Sequence, residues 1–368
     1  PLPRSLTPPL LLWLLLVTLF TWPNYLAYFN RLAGPAETRW RALSDSNVDW
    51  GQDLPALAAW QRATDTPLYL SYFGVAHPSA YGLEFTALPT WEPGPEQSPP
   101  ARQTFNPADP APGWYAISVT NLQGLVLGDA YDTFAWFRDR EPIARIGGSI
   151  FVYEVAARGE PVNVAFSGLR PAELAPELHA ELATNDVRPR WFDARTSLIW
   201  PADGGWWALA ADQPVDARLL PLANVTTEWQ STDGAQRLLQ PVYPPALPWT
   251  ENRPMGETAV FLGTNHVGDP TTGEISLITG WRVVQATERP LKIFVHALDE
   301  AGQIVGQWDG LDVDPAAWQP GDVFVQLHRF TVPETAVPTT LVIGLYDGET
   351  LERLGEVVVE NWELGVDN

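Results

Sequence analysis

A charge-free stretch near the amino terminus constrains this chain more than any other feature. No charged residue occurs from Ser5 to Asn30, and Leu10 to Phe20 is almost purely apolar. A helix that crosses a bilayer needs about 20 apolar residues. The stretch reaches that length only if it continues to about Phe29, through aromatic residues typical of a membrane interface. We therefore expect residues 1–38 to form a transmembrane helix with an interfacial segment.

Two other interpretations of this stretch stay open. Arg4 and the apolar run that follows have the layout of a secretory signal peptide, and an apolar helix can also lie buried in a core. Pro23 would kink or end any helix that continues through it. Pro1 in place of Met suggests a piece of a longer protein. Because arginines lie on both sides of the stretch, charge does not determine its orientation.

Length and composition exclude several classes of protein. The 368 residues are too many for one ordinary domain. Cysteine is absent, which excludes disulfide scaffolds, iron–sulfur clusters and thiol catalysis. The net charge of −22 argues against nucleic-acid binding, which depends on basic residues. A hydrophobic content of 45% is sufficient for packed cores.

The remaining residues divide into segments of different character. Strand and helix patterns alternate in residues 39–157 and again in a smaller segment, 158–245, so we expect α/β or α+β domains there. A proline-rich linker is predicted at 246–254. Short, regularly spaced strand patterns in 255–368 predict an all-β sandwich. The predicted fold is therefore multidomain: a transmembrane helix, two α/β segments and a sandwich.

The densest group of polar residues follows the apolar stretch directly. Such side chains could bind a hydroxylated or cationic ligand, or a metal ion. Asx turns and a helix cap at Asp53 would explain several of them without any ligand. Local chemistry leaves both interpretations open. The candidate ligand-surface residues are Asp45, Asn47, Asp49, Trp50, Gln52 and Asp53.

Other candidate sites are weaker. The five histidines show no metal-ligand spacing and no nucleotide-binding motif is present, so neither a metal site nor a cofactor is predicted. The carboxylates from Asp309 to Asp314 could hold calcium, although a solvated turn explains them as well. Trp308 and Trp318 are candidates for stacking on sugars, the alternative being ordinary core packing.

Two runs resemble the end of bacterial multi-pass membrane glycosyltransferases. These are Tyr25-Leu-Ala-Tyr-Phe-Asn-Arg-Leu-Ala-Gly34 and Leu43-Ser-Asp-Ser-Asn-Val-Asp-Trp-Gly-Gln-Asp-Leu54. They are similar to the segment after the last transmembrane helix in the dolichyl-phosphate-mannose–protein mannosyltransferase family, of the GT-C class. The similarity extends from about Tyr25 to Trp60. Motifs such as Phe294-Val-His-Ala-Leu-Asp299 resemble a β-sandwich often appended to such proteins.

The resemblance implies a function with defined limits. The family transfers a sugar from a polyprenyl-phosphate carrier, and its catalytic acid lies in a first extracytoplasmic loop that this chain does not contain, so no catalytic residue is assigned. The chain would be an extracytoplasmic part of a cell-membrane glycosyltransferase that positions an acceptor or glycan. Its expected partners are membrane lipid, the polyprenyl-phosphate sugar and a glycan or protein acceptor. The alternatives are a membrane-anchored carbohydrate- or surface-binding module and a glycoside hydrolase, which needs paired carboxylates.

Overall fold

The computed structural model describes residues 7–22, 25–28, 38–42, 48–91, 94–97, 104–249, 251–266, 273–333 and 336–360. The chain divides into two compact units, Pro1–Gly159 and Glu160–Asn368. Described residues of the two units form four β-sheets and a few short helices.

The first unit is built around a mixed five-stranded sheet. β1 pairs in parallel with β2 and β3, and β3 pairs antiparallel with β5, which pairs antiparallel with β4. The strand order is therefore β2-β1-β3-β5-β4. The helices are α1 (Thr7–Thr21), α2 (Leu54–Thr64), α3 (Val119–Gln123) and α4 (Ala135–Arg138), and the strands are β1 (Leu68–Ser71), β2 (Phe85–Ala87), β3 (Gly113–Ser118), β4 (Ala144–Ile146) and β5 (Ile150–Val155).

Both faces of this sheet are covered. Successive side chains of a strand point to opposite faces. In β3, Ala116 packs with the apolar face of α2, whereas Tyr115 and Ile117 pack with Phe134 and Phe137 on the opposite face. This double burial explains why β1, β3 and β5 have nearly continuous apolar sequences.

The predicted transmembrane helix is wrong. α1 has 15 residues and ends at Thr21, two residues before Pro23. At 1.5 Å per residue its length is about 22 Å, against about 30 Å of hydrocarbon in a bilayer. No helix within the described ranges is long and apolar enough to cross a membrane. The predicted continuation to Phe29 includes positions outside the described residues, and residues 25–28 are not helical.

The second unit contains three sheets. One is mixed, with strand order β10-β11-β9-β6-β7, and the other two are antiparallel, with orders β12-β13-β14-β17-β8 and β16-β15-β18-β19. Its described α-helix is α5 (Pro176–Glu181). The strands are β6 (Val162–Ser167), β7 (Val187–Trp191), β8 (Ser197–Trp200), β9 (Trp206–Ala210), β10 (Val225–Gln230), β11 (Gln236–Pro241), β12 (Arg253–Met255), β13 (Ala259–His266), β14 (Glu274–Val283), β15 (Leu291–Leu298), β16 (Ile304–Gly310), β17 (Val323–Thr331), β18 (Thr340–Asp347) and β19 (Arg353–Glu360).

The two antiparallel sheets share one apolar core, with Trp281 and Phe324 from one sheet and Ile293 and Ile343 from the other. β8 belongs to this pair of sheets because it pairs with β17 at their edge. Residues 158–245 therefore contribute a strand to a sheet whose other strands lie in 253–331. The segment Asp203-Gly-Gly205 does not join β8 and β9 as a hairpin, because these strands lie in different sheets.

The fold-class prediction is also wrong in its balance of elements. Alternating helix and strand patterns predicted α/β segments, yet the described chain is mostly β and its longest helix after α1 has 11 residues. Proline restricts helix length: Pro171 and Pro176 each begin a short helical piece, of three and six residues respectively. A proline inside a helix removes a hydrogen bond and clashes with the preceding turn.

The two mixed sheets have the same topology. In each, the first strand pairs in parallel with the second and third, and two antiparallel strands follow beside the third. The registers also agree: Ala116 lies opposite Leu70 in β1, and Ala208 lies opposite Phe166 in β6. The third strands have similar sequences, Gly113-Trp-Tyr-Ala-Ile-Ser118 and Gly205-Trp-Trp-Ala-Leu-Ala210.

Candidate functional site

The carboxyl ends of β1 and β3 form the candidate site. The chain passes from β1 to β2 on one side and then to β3 on the other, so the strand order reverses between β1 and β3. Ligands of open α/β sheets bind at such a switch point. Here the strands end in two buried serines, Ser71 and Ser118. The Ser118 hydroxyl accepts hydrogen bonds from the backbone N–H of Phe73 (3.1 Å) and of Asn121 (3.4 Å).

Asn121 ties the ends of the parallel strands together. Its amide nitrogen donates to the Ser71 hydroxyl (2.9 Å) and to the Thr90 hydroxyl (2.8 Å). Thr90 in turn donates to the backbone carbonyl of Tyr72 (2.7 Å). This chain of hydrogen bonds fixes the polar side chains before any ligand arrives.

Asp49 lies against this edge and is fully buried. Its Oδ1 accepts a hydrogen bond from the Gly51 N–H (2.9 Å), an Asx turn that fixes the chain on both sides of Trp50. Burial raises the pKa of Asp49 to about 7, and the nearby carboxylate of Asp53 contributes, although the Gly51 N–H and the neighbouring hydroxyls of Ser118 and Ser149 oppose the shift. Asp49 therefore keeps its proton to a higher pH than an exposed aspartate does.

Asp53 joins the turn to β5. The side chain of Asp53 does not cap α2. Instead, its carboxylate accepts hydrogen bonds from the Ser149 hydroxyl (2.7 Å) and N–H (3.2 Å). Gly147 must be glycine here, because a Cβ would lie 1.9 Å from an Asp53 oxygen and its φ is +58°. Burial raises the pKa of Asp53, and the two bonds from Ser149 oppose the shift.

Trp50 and Gln52 are the exposed members of the predicted group among the described residues. The aromatic one is Trp50. It exposes 46% of its surface, and its ring centroid is 5.4 Å from that of Phe73, which is 5.2 Å from that of Trp91. Gln52 holds the turn by accepting from the Trp50 N–H (2.8 Å) and donating to the Val48 carbonyl (3.0 Å). Trp50, Phe73 and Trp91 therefore form a row of contacting rings, which lies beside the buried polar cluster and has the exposed Trp50 at one end.

Four buried oxygens in this unit have no hydrogen-bond partner in the described part of the chain. They are Asp49 Oδ2, Gln97 Oε1, Thr120 Oγ1 and Asn121 Oδ1. The segments that carry them meet at the switch point: Gln97 donates to the carbonyl of Gly74 after β1, and α3 follows β3. Native proteins leave few buried polar groups unpaired, and such groups often receive a ligand, an ion or water.

The equivalent edge of the second mixed sheet carries different side chains. Ser167 ends β6 as Ser71 ends β1, and its hydroxyl accepts from the Ala194 N–H (2.9 Å). Ala210 stands where β3 has Ser118. A Cβ on Gly168 would lie 2.3 Å from Gln213 Cγ and 3.1 Å from Ala210 Cβ, so these two side chains pack beside the residue that follows β6.

The other predicted positions are dispersed. Asp45 and Asn47 lie outside the described residues. Trp318 is fully buried and stacks on Phe324 (centroids 5.1 Å), so its ring offers no free face to a sugar, whereas Trp308 is half-buried with its ring edge-on to His328. Asp312 of the acidic turn accepts hydrogen bonds from neighbouring side chains. Within the described ranges, no group of three His, Cys, Asp or Glu is arranged to hold a metal ion.

Sequence reasoning missed Ser71, Thr90, Ser118 and Asn121. Each is a common residue in a common setting, and only the sheet topology brings them together. The available signal was a serine at the end of an apolar strand, followed by a short helix that it caps.

Comparison with known proteins adds little. No protein-family model matches this sequence, and no curated protein matches it. Among solved structures, the chain is similar to the crystal structure of an endonuclease/exonuclease/phosphatase from Beutenbergia cavernae DSM 12333, at 12% identity and a TM-score of 0.17. The match covers 38% of this chain and 35% of that protein. A likeness at this level carries no argument about fold or function.

Proposed function

We propose that this chain is a non-catalytic part of a glycosyltransferase that uses a polyprenyl-phosphate sugar, and that its first unit positions a glycan at the β1/β3 switch point. The observation that carries the proposal is the exposed ring of Trp50 beside the buried polar edge. Sugars present apolar C–H faces and many hydroxyl groups, so they bind to an aromatic face flanked by hydrogen-bonding groups.

The turn around Trp50 supports this role because it is preorganised. Asp49 and Gln52 bind the backbone on both sides of Trp50, and Phe73 supports its ring from below. A rigid aromatic platform loses little conformational entropy on binding, which improves affinity. The resemblance of Leu43 to Leu54 to the segment after the last helix in GT-C transferases supplies the reaction class.

Action at a membrane surface is part of the proposal. α1 is apolar all round, and most of its side chains are exposed. Such a helix is stable only in an apolar environment. We infer that lipid covers these side chains and that the remainder of the chain lies outside the cytoplasm, as in the transferases it resembles. Flotation with liposomes should carry the chain upward, and Leu12→Asp with Leu15→Asp should leave it at the bottom; flotation of both proteins would show that α1 is not the contact.

The role is tested in the complete transferase. Trp50→Ala should lower transfer from a radiolabelled polyprenyl-phosphate sugar about 30-fold, because an aromatic anchor contributes about 2 kcal/mol. Trp229→Ala is the matched control, since it removes a half-buried ring that stacks on Trp206 in the second mixed sheet. Equal transfer by both variants would contradict the proposal. Loss of glycan binding without loss of transfer would favour the alternative, a binding module.

A further inference from the structure

Two neighbouring carboxylates are buried beneath the Trp50 turn without a compensating basic group. Asp49 is fully buried and Asp53 is 5% exposed. The hydrogen bonds that these two carboxylates accept come from Gly51 and from Ser149, and among the described residues no arginine, lysine or histidine donates to either of them. An ionised carboxylate inside a protein costs several kcal/mol unless a proton or a cation neutralises it.

The oxygens around this pair are suitable ligands for a cation. Asp49 Oδ1 accepts the Gly51 N–H, whereas Oδ2 is buried and has no partner in the described chain. The hydroxyls of Ser118 and Ser149 adjoin Asp49. Oxygen ligands, without sulfur or imidazole, suit calcium and magnesium better than transition metals.

A second observation is independent of the carboxylates. Asn121 Oδ1 and Thr120 Oγ1, on the helix that Ser118 caps, are also buried and unpaired. The second mixed sheet shows no such unpaired side-chain oxygen at its equivalent edge, within the described residues, although its topology is the same. The excess of unpaired oxygen acceptors is therefore a property of this edge and not of the fold.

We propose that a hard divalent cation, Ca²⁺ or Mg²⁺, binds between the carboxylates of Asp49 and Asp53, with the hydroxyls of Ser118 and Ser149 as further oxygen ligands. The ion neutralises both charges and links the Trp50 turn to the starts of α3 and β5. It thereby rigidifies the platform on which Trp50 stands. The cation site does not use the Trp50 ring, so it can exist whether or not a glycan binds.

Thermal unfolding of the whole chain tests the site. The protein is treated with a chelator, dialysed at pH 8, and titrated with CaCl₂ or MgCl₂ against NaCl of equal ionic strength. A hundredfold excess of a binding cation over its Kd should raise the Tm of the first unit by about 5 to 10 °C. Asp49→Asn should abolish the shift, and Asp129→Asn, an exposed carboxylate of the same unit, should preserve it.

Terbium luminescence gives a second readout that does not depend on stability. Tb³⁺ replaces Ca²⁺ at oxygen sites and emits when a nearby tryptophan is excited. The wild-type chain should show emission that CaCl₂ displaces, and Asp53→Asn should remove it. If circular dichroism shows that Asp49→Asn does not fold, the terbium measurement on Asp53→Asn tests the site instead.

The outcomes separate this site from the proposed function. Trp50→Ala should lose glycan binding and keep the Tm shift, so each proposal can fail without the other. A shift with either cation that disappears in Asp49→Asn supports the site. No shift with either cation, or an equal shift in Asp49→Asn, would overturn it and leave a proton or a buried water as the occupant.

Discussion

The two mixed sheets have the same topology but carry different residues at the carboxyl ends of their first and third strands. In the first, the carboxyl ends of β1 and β3 carry Ser71 and Ser118, with unpaired buried oxygens around them. In the second, the same positions carry Ser167 and Ala210, and the side chain of Gln213 packs beside the following Gly168. The backbone therefore offers the same switch point twice, and the side chains leave it polar in one sheet only. Topology provides the place for a site, and local residues determine whether it exists.

The second mixed sheet is connected to the antiparallel sheets. The chain between β7 and β9 supplies β8, which pairs with β17. Arg190 on β7 binds Asp322, just before β17 (2.6 Å), and both side chains are almost fully buried. Asp322 also accepts the N–H groups of Ala202 and Gln319. These contacts join the second sheet to the antiparallel sheets, so we expect substitution of Arg190 to lower stability, whereas substitution of Trp50 at the first edge should affect binding.

Arg190→Met should produce the largest loss of stability. It leaves the Asp322 carboxylate buried without its cation, which costs about 3 to 5 kcal/mol. Arg195→Met is the control, because Arg195 and Asp193 form a pair whose side chains are 56% and 29% exposed, and little change is expected. Urea denaturation gives both values. A loss below about 1 kcal/mol for Arg190→Met, the range of exposed pairs, would show that the buried pair does not join the sheets.

Acid should destabilise the second unit through His328. Burial lowers the pKa of His328 to about 3, from 6.5. Below pH 6.5 the His328 imidazole binds a proton in the unfolded chain but not in the folded chain. Protonation therefore favours the unfolded state, and the free energy of unfolding falls as the pH decreases from 6.5 towards 3. At pH 4 the loss is about 3 kcal/mol.

Hydrogen exchange at pH 4 and 7 locates the effect. Protection of β14 and β17 should fall in the wild type and change less in His328→Gln. The first unit has one histidine, His77, with a side chain that is 61% exposed, and it should not show this effect. An equal pH response of β17 in the wild type and in His328→Gln would contradict the assignment.

Exchanging the residues at the two third-strand ends should have unequal effects. Ser118→Ala removes the acceptor for two backbone N–H groups and should cost about 2 kcal/mol. Ala210→Ser, the reciprocal change, should alter stability by less than about 0.5 kcal/mol, since no buried group there lacks a partner in the described residues. Equal losses, measured in urea, would mean that the two edges are alike.

Much of the strand layout was predictable from the sequence. Apolar runs in the sequence coincide with β3, β5 and β14, because fully buried strands have strong patterns. The pairing of β8 with β17 was not predictable, since Asp203-Gly-Gly205 has the composition of a hairpin turn. Strand partners depend on contacts distant in sequence, which no local pattern specifies.

The candidate site was predictable only in part. The run of polar residues and the family resemblance indicated Asp49 and Asp53, but not that both are buried. The cap predicted at Asp53 does not form because the Ser149 hydroxyl and N–H, distant in sequence, bind its carboxylate instead. Trp318 shows the same limit, since an indole in a polar turn sequence proved to be core.

Glycoside binding by the purified chain tests the central claim most directly. Saturation-transfer difference NMR with methyl glycosides of mannose, galactose and N-acetylglucosamine requires no knowledge of the donor sugar. The wild type and Trp229→Ala should transfer saturation to at least one glycoside, and Trp50→Ala should lose that signal while unfolding at nearly the same urea concentration. An undiminished signal in Trp50→Ala, or its loss in Trp229→Ala alone, would contradict a ligand site at the first edge.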